Sequence, residues 1–174
     1  SQINKWFRGL QLASAALYSL GHGGNDAQKT MGIIFGVLIL YDKSKGLPIP
    51  TDIPAWVAIA AYSAISLGTL SGGWKIVETM GQKITKLRPI EGFCAETASA
   101  ISIFFATHLG VPVSTTHVIT GAISGVGAAK RLSAVRWGVT LRIVWAWFLT
   151  IPLSAIFAYA TFKILIFSSA FFVR

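Results

Sequence analysis

Charged residues are scarce in this sequence. Asp, Glu, Lys and Arg make up 12% of its 174 residues, whereas hydrophobic residues make up 53%. An ordinary soluble domain carries about 25% charged residues, so the composition argues against that class. The mean hydropathy of +0.64 points the same way. We therefore expect an all-α integral membrane protein.

Acidic residues are rarer than basic ones, and six Asp and Glu against 15 Lys and Arg give a formal net charge of +9. The basic residues are scattered between apolar segments, which does not indicate a nucleic-acid partner. We expect them to mark topology in a multi-pass inner (plasma) membrane protein. Its cytoplasmic side would hold Lys5, Arg8, Lys75, Lys83, Lys86, Arg88, Lys130, Arg131 and Arg136. The N-terminus would then be cytoplasmic and the C-terminus outside, with Lys43, Lys45, Lys163 and Arg174.

The sequence has one cysteine, Cys94, which excludes an internal disulfide. We expect no cleavable signal peptide in the first apolar run, because it passes directly into the polar pair Asn25-Asp26.

Three adjacent hydroxyl residues stand in the apolar segment Val111-Pro112-Val113-Ser114-Thr115-Thr116-His117. We expect Gly110 and Pro112 to end one helix and Ser114 to cap the next. Backbone N–H groups and the positive end of the helix dipole would then face one point, which favours an anion. The same hydroxyls could instead serve only as helix caps.

The apolar segments on either side of this motif, 90–109 and 115–129, predict a helical hairpin. The second arm would be about 22 Å long, shorter than the roughly 30 Å of bilayer hydrocarbon. We therefore predict a re-entrant hairpin over 90–129 with its tip at 110–114, where irregular backbone lines a cavity.

A second polar stretch, Gly21 to Lys29 (GHGGNDAQK), separates the apolar runs 10–20 and 31–41. Because these runs together exceed one straight crossing, we predict a helix break at 21–25. Two broken helices are typical of secondary transporters. Asn25 and Asp26 could merely cap the following helix, yet an acid at membrane depth is a functional candidate.

The remaining segments complete a membrane pattern. We expect an exposed loop over 42–54 and an apolar helix over 55–74. A short amphipathic helix is expected over 75–89 at the interface. Residues 137–168 would form one long kinked helix or two short ones, with Pro152 as the break.

Neither polar motif has a second copy in the sequence, although transporters of this design commonly carry two related halves in inverted orientation. The chain also begins with Ser1 instead of Met. We expect it to be one half of an inverted-repeat transporter.

The motif Gly24-Asn25-Asp26, followed some 90 residues later by Pro112 to His117, resembles the inorganic phosphate transporter (PiT) family. The similarity covers nearly the whole chain, including Gly92-Phe93 and Gly121 to Gly127, and the chain looks like the C-terminal repeat of a bacterial member. The resemblance implies symport of inorganic phosphate, with each half supplying an Asn-Asp motif and a hairpin tip to one central site.

On this basis we assign phosphate contacts to Ser114, Thr115, Thr116, Asn25, Gln28 and Lys29. Coupling-ion contacts are assigned to Asp26, Asn25 and Glu96, with Asp26 as a cation ligand. Glu96 is either a proton carrier or an ion-pair partner of Lys29 or Arg142. His22 and His117 flank the motifs, where packing is a commoner role than proton transfer.

The sequence departs from the sodium-coupled pattern Gly-Ala-Asn-Asp-Val-Ala-Asn-Ala, because Gln28 and Lys29 replace Ala and Asn. An ammonium group repels sodium and attracts phosphate, or it pairs with Asp26 or Glu96. This favours proton coupling or cotransport of a divalent metal with phosphate, although the other half could still hold a sodium site. No cofactor is expected besides the coupling cation, H⁺ or Na⁺.

Two other functions compete with transport. An intramembrane enzyme using Ser114 and His117 is disfavoured, since no acid is placed to orient the histidine. We expect no enzyme. A non-transporting membrane scaffold remains the alternative, because small-residue helix faces would suffice for it. The expected partners are phosphate, membrane lipid, the other half and, as a homo-oligomer, a second copy.

Overall fold

The computed structural model describes residues 2–172, and every regular element in this range is helical. The all-helical prediction is therefore confirmed. The elements are α1 (Gln2–Lys45), α2 (Ala55–Gly72), α3 (Trp74–Glu78), a π-helical turn (Thr79–Lys83), α4 (Pro89–His108), α5 (Thr115–Lys130), a 3-10 turn (Leu132–Ala134) and α6 (Trp137–Phe172). The chain forms two compact units that divide after Val135.

The predicted break at 21–25 is wrong, because α1 continues through it as one helix of 44 residues. Packing against α4 accompanies the helix at Gly21, whereas nothing lies within 4 Å of a Cβ position at Gly23 or Gly24. A Cβ position at Gly21 lies 3.4 Å from the Ile103 side chain, an ordinary van der Waals distance, so α4 packs against α1 at this residue. Tertiary contacts of this kind outweigh the cost of glycine within a helix, about 1 kcal/mol each.

The core of the first unit forms where α1 packs against α4 on one side and α2 on the other. Buried Ala27 and Met31 of α1 meet Val57 and Ala61 of α2. This packing holds the polar residues of α1 beside both neighbouring helices.

Helices α4 and α5 form a hairpin, as predicted. Its base is closed by Lys130, whose Nζ lies 2.9 Å from Glu91 Oε1 near the start of α4. The arms have 20 and 16 residues, or about 30 Å and 24 Å. The hairpin places the start of α5 at the end opposite to this ion pair.

The tip of the hairpin, residues 109–114, follows directly from its sequence. Gly110 has a φ of +69°, and the Val111 N–H donates to the Ala106 carbonyl at 2.9 Å. This is a Schellman ending, for which glycine is the favoured residue. Ser114 then caps α5, since its Oγ accepts from the His117 N–H at 3.4 Å. The predicted helix end and cap are both present.

The expected helix over 75–89 is only partly present. The chain is helical as far as Lys83, with a π-helical turn in place of regular α-helix from Thr79. Ile84 and Thr85 are buried in the segment that follows. Arg88 is extended, with a ψ of 162°, as the residue before a proline commonly is.

The second unit contains α6, a single helix with Pro152 inside it. The alternative of two short helices is therefore wrong. Two helices within residues 2–172 are long and apolar enough to cross a membrane, Ala55–Gly72 and the Trp137–Ser168 part of α6.

Candidate functional site

Asp26 is the centre of a polar network on α1. Its Oδ1 lies 2.9 Å from Lys29 Nζ, and its Oδ2 lies 3.0 Å from His22 Nε2. These residues stand at positions i+3 and i−4 relative to Asp26, so helix geometry brings them to the carboxylate. Thr115 at the start of α5 donates a hydrogen bond to Asp26 Oδ2 at 3.3 Å. The carboxylate therefore links α1 to the hairpin.

Lys29 makes a second link between the same elements. Its ammonium donates to the Val113 carbonyl oxygen at 2.5 Å while it pairs with Asp26. The tip is thus tied to α1 by the ammonium on one side and by the Asp26–Thr115 hydrogen bond on the other. Both links are charge-assisted, the stronger class of hydrogen bond.

Asn25 faces the end of α4. Its Nδ2 donates to Thr107 Oγ1 at 3.1 Å, and the residue is only 4% exposed. Its Oδ1 is buried and has no hydrogen-bond partner. An unpaired buried acceptor is costly in a folded protein. This oxygen is therefore available to a hydrogen-bond donor or a cation.

Two cavities lie beside the network. The tip cavity, of about 200 Å³, is lined by Asn25, Gln28, Lys29, Thr107 and the Gly110–Pro112 part of the tip. The side cavity, of about 570 Å³, has apolar walls from α2, α3 and the π-helical turn. Its polar lining residues are Tyr18, His22, Asp26, Thr69, Thr115 and Thr116.

The predicted phosphate contacts therefore fall into two groups. Asn25, Gln28 and Lys29 line the tip cavity, whereas Thr115 and Thr116 line the side cavity. Ser114 acts as the cap of α5. The Lys29–Asp26 ion pair stands between the two groups, because Lys29 faces one cavity and Asp26 the other.

Glu96 is placed away from this network. Its Oε2 accepts a hydrogen bond from Ser14 at 2.6 Å, and Ser14 precedes Asp26 by twelve positions on α1, or about 18 Å of helix. Lys29 pairs with Asp26, so the alternative of a Lys29–Glu96 ion pair is wrong. Arg142 of the second unit donates to the Gly138 carbonyl of its own helix at 3.2 Å.

Two contributors to the network were not predicted from the sequence, the Thr107 hydroxyl and the Val113 carbonyl. Each is separated from its α1 partner by more than 80 residues. A threonine one residue before the helix end is unremarkable in sequence, and a carbonyl group carries no sequence signal. Only the pairing of α1 with the hairpin reveals them.

The network offers a cation, a carboxylate, an amide and hydroxyl groups within contact of one another. Lys29 can hold an anion, while Asp26 and the Asn25 Oδ1 can hold a cation. Within residues 2–172, no three His, Cys, Asp or Glu side chains are grouped as a metal site. A metal here would depend on Asp26 with neutral oxygen ligands.

Comparisons with known proteins place these residues in a family context. The profile of the "Phosphate transporter family" matches residues 1–158. A Rhizobium meliloti protein named "Probable low-affinity inorganic phosphate transporter" is 60% identical over 154 residues, which cover 88% of this chain and 45% of the relative. A Bacillus subtilis protein of the same name is 48% identical over 155 residues, covering 89% and 46%. The chain thus spans about half the length of these relatives.

A solved structure titled "The sodium-dependent phosphate transporter" matches with a TM-score of 0.75 and 36% identity, covering 86% of this chain and 37% of the other. These relatives are named as transporters and not as enzymes, in agreement with the expectation of a non-enzyme. Their names also identify a membrane protein, which agrees with the composition. The chain belongs to the phosphate transporter family.

Proposed function

We propose that this chain is one half of a secondary active transporter that carries inorganic phosphate across the plasma membrane by symport with protons or sodium. The observation that carries the proposal is the Lys29–Asp26 ion pair, which contacts the hairpin tip through both of its charged groups. An anion and a cation each have a charge partner there. The names of the relatives support phosphate as the anion.

Phosphate would first meet Lys29 and Gln28 in the tip cavity. The ammonium is the charge partner there, and the Gln28 amide can donate a hydrogen bond to a phosphate oxygen. The Val113 carbonyl already accepts a hydrogen bond from the Lys29 ammonium. An arriving phosphate therefore competes with that carbonyl for the ammonium. Substrate binding would therefore weaken one of the two links between α1 and the tip.

The hydroxyls of Ser114, Thr115 and Thr116 complete the proposed substrate site from the α5 side, together with the N–H groups at its N-terminus. Thr115 and Thr116 line the side cavity, so one phosphate reaches both sets of donors only if the tip moves relative to α1. Opening of the Lys29–Val113 hydrogen bond would permit that movement. Alternate exposure of the two cavities would then move phosphate from one side to the other.

The coupling cation would bind at Asp26, with the unpaired Asn25 Oδ1 as a second ligand. The Lys29 ammonium, 2.9 Å from the Asp26 carboxylate, opposes sodium binding there. This favours a proton, or a divalent metal that enters together with phosphate. Glu96, hydrogen-bonded to Ser14, is a second carboxylate available for proton coupling. The sodium-dependent structural neighbour supports the alternative of sodium.

The proposed membrane arrangement has a re-entrant α4–α5 hairpin, since α5 is too short to cross about 30 Å of hydrocarbon. Helix α1, at about 66 Å, would need to tilt or extend beyond the hydrocarbon. The N-terminus would be cytoplasmic and the C-terminus outside, in the inner membrane. A second, inverted half would complete the site, and the assembled transporter would associate as a homo-oligomer within membrane lipid.

Radiolabelled phosphate uptake into proteoliposomes tests this function. The assembled transporter containing this chain is reconstituted in one preparation of proteoliposomes. A sodium gradient is imposed on one portion and a proton gradient on the other. We expect uptake driven by protons. The double variant Ser114→Ala/Thr115→Ala should lose uptake, whereas Ser102→Ala/Thr150→Ala, whose exposed hydroxyls donate to carbonyls of their own helices and line neither cavity, should retain it.

Unchanged uptake in the Ser114→Ala/Thr115→Ala variant would contradict the proposed substrate site. Uptake driven only by sodium would show that Lys29 does not prevent sodium coupling. Absence of uptake under both gradients, with the protein folded and inserted, would favour the non-transporting scaffold instead.

A further inference from the structure

Several chain segments meet at the base of the α4–α5 hairpin. The Phe7 ring of α1 packs edge-on against Phe93 of α4, with 5.8 Å between centroids. Lys130 at the end of α5 pairs with Glu91 near the start of α4. These contacts bring the start of α1, the start of α4 and the end of α5 to one end of the first unit.

Basic residues are concentrated at this end. We define the basic end by six residues on these segments and on the linker into α4, all of them exposed: Lys5, Arg8, Lys86, Arg88, Lys130 and Arg131. Glu91 is the only acidic residue in the segments 2–11, 84–93 and 127–131. Its carboxylate already pairs with Arg88 and Lys130. The positive charge of the basic end is therefore largely uncompensated within these segments.

The basic end also carries large apolar side chains on its surface. Trp6 is 73% exposed between Lys5 and Arg8, and Leu132 is 70% exposed next to Arg131. Exposed aromatic and aliphatic side chains beside Lys and Arg are typical of the region where headgroups meet acyl chains. A site for a free ion does not need such apolar neighbours.

We infer that the basic end is a binding surface for anionic phospholipid headgroups, of which phosphatidylglycerol is a simple example. The phosphodiester charges of several lipids match basic side chains that are distributed over three segments. A single free phosphate would instead need donors that converge on one pocket, as at the tip. The inference requires only that the protein lies in a membrane, so it does not depend on which substrate is transported.

Bound lipid would act as an additional contact among the segments. A layer of anionic headgroups against Arg8, Lys86 and Arg131 bridges the start of α1, the linker and the end of α5, which the Glu91 ion pairs join only in part. Anionic lipid bound to the basic end would thus stabilise the base of the hairpin while the tip moves.

Native mass spectrometry of the intact transporter, titrated with phosphatidylglycerol or phosphatidylcholine, tests the inference. We expect phosphatidylglycerol to bind preferentially. The double variant Lys86→Gln/Arg131→Gln should bind it about tenfold more weakly. The matched variant Lys43→Gln/Lys45→Gln, at the opposite end of α1, removes the same charge and should bind it as the unmodified protein does.

Competition with inorganic phosphate shows whether the basic end binds lipid headgroups or free phosphate. Inorganic phosphate in excess should leave phosphatidylglycerol bound, and its displacement would overturn the inference in favour of an anion site. Equal losses in both double variants, or no preference over phosphatidylcholine, would also overturn it. If Lys86→Gln/Arg131→Gln does not fold, the unmodified protein serves, because its preference for phosphatidylglycerol must fall as sodium chloride is raised.

Discussion

Lys29 and Val113 are separated by 84 residues in sequence, yet the Lys29 ammonium donates a 2.5 Å hydrogen bond to the Val113 carbonyl. The same ammonium pairs with Asp26 on its own helix. One side chain thus joins the polar motif of α1 to the hairpin tip. A bound anion would compete with both partners, so the strength of this link should affect transport directly.

Substitution of Lys29 tests that relationship. Lys29→Gln removes the cation and leaves the Asp26 carboxylate without its ion pair, and we expect phosphate uptake to fall about 10- to 100-fold, as for the loss of a charge-assisted hydrogen bond. Lys29→Arg keeps the charge and should retain part of the uptake. Lys43→Gln removes a lysine from the far end of α1 and should have no effect. Initial rates of uptake over a range of phosphate concentrations provide the measurement.

A fall in uptake confined to the maximal rate, with unchanged apparent affinity for phosphate, would contradict direct contact between Lys29 and substrate. It would leave Lys29 only as the link to the tip. Equal uptake by Lys29→Gln and the unmodified protein would contradict both roles.

The Asn25–Thr107 hydrogen bond yields a second prediction. Thr107→Val removes the oxygen that accepts from Asn25 Nδ2 and leaves a second unpaired polar atom on a residue that is 4% exposed. We expect a loss of about 1–3 kcal/mol in unfolding free energy. The contact between α1 and α4 beside the tip cavity should also be weaker. Thr107→Ser retains the hydroxyl and should recover most of the stability.

Thermal unfolding of the purified transporter, followed by intrinsic tryptophan fluorescence, measures this effect. Ser102→Ala is a control on the same helix, because Ser102 is exposed and its hydroxyl donates only to the carbonyl of Ala98. If Thr107→Val unfolds at the same temperature as the Ser102 variant, the buried hydrogen bond contributes nothing measurable.

Local sequence rules predicted the hairpin well. The end of α4 before Gly110, the Ser114 cap and the bounds of α4 and α5 all follow from residues within one or two turns. Such features depend on neighbouring backbone atoms, so the sequence contains the necessary information.

The rest of the site depends on contacts between distant segments. Sequence rules predicted a break near Gly21, but α1 continues through it as a helix that packs against Ile103 of α4. They also grouped the phosphate contacts into one site, whereas the helices place Lys29 and Thr116 in different cavities. Neither result could be obtained from local propensity, because each is decided by which helix faces which.

Glu96 leads to a third prediction, which concerns coupling. Its carboxylate accepts a 2.6 Å hydrogen bond from Ser14, and a glutamine can accept the same bond but cannot carry a proton. We expect Glu96→Gln to abolish uptake driven by a proton gradient while exchange of labelled for unlabelled phosphate continues. Glu78→Gln removes one carboxylate from an exposed ion pair with Lys83 and lines neither cavity, so it should leave both activities intact.

Retention of gradient-driven uptake by Glu96→Gln would exclude Glu96 as the proton carrier and leave Asp26 in that role. Loss of exchange together with driven uptake, in a variant that is folded and inserted, would instead indicate that Glu96 supports the structure of the α1–α4 interface.

Two glycines of α5 give the fourth prediction, which concerns stability. A Cβ atom at Gly127 would lie 2.8 Å from Val135 Cγ2 and 3.3 Å from the Thr85 side chain, both of them on buried residues. Gly127→Ala should therefore destabilise the protein by about 1–3 kcal/mol, the usual effect of overpacking. At Gly125, two residues earlier, nothing lies within 4 Å of a Cβ atom. Gly125→Ala should stabilise the helix by about 0.5–1 kcal/mol.

Because both variants make the same chemical change in the same helix, their difference isolates the contact with Thr85 and Val135. Thermal unfolding of the reconstituted transporter should give a lower midpoint for Gly127→Ala and an equal or higher midpoint for Gly125→Ala. Midpoints shifted in the same direction by similar amounts would show that the α5 end does not pack closely against this segment. The base of the hairpin would then be held chiefly by the Glu91–Lys130 ion pair, and Glu91→Gln would become the more damaging substitution.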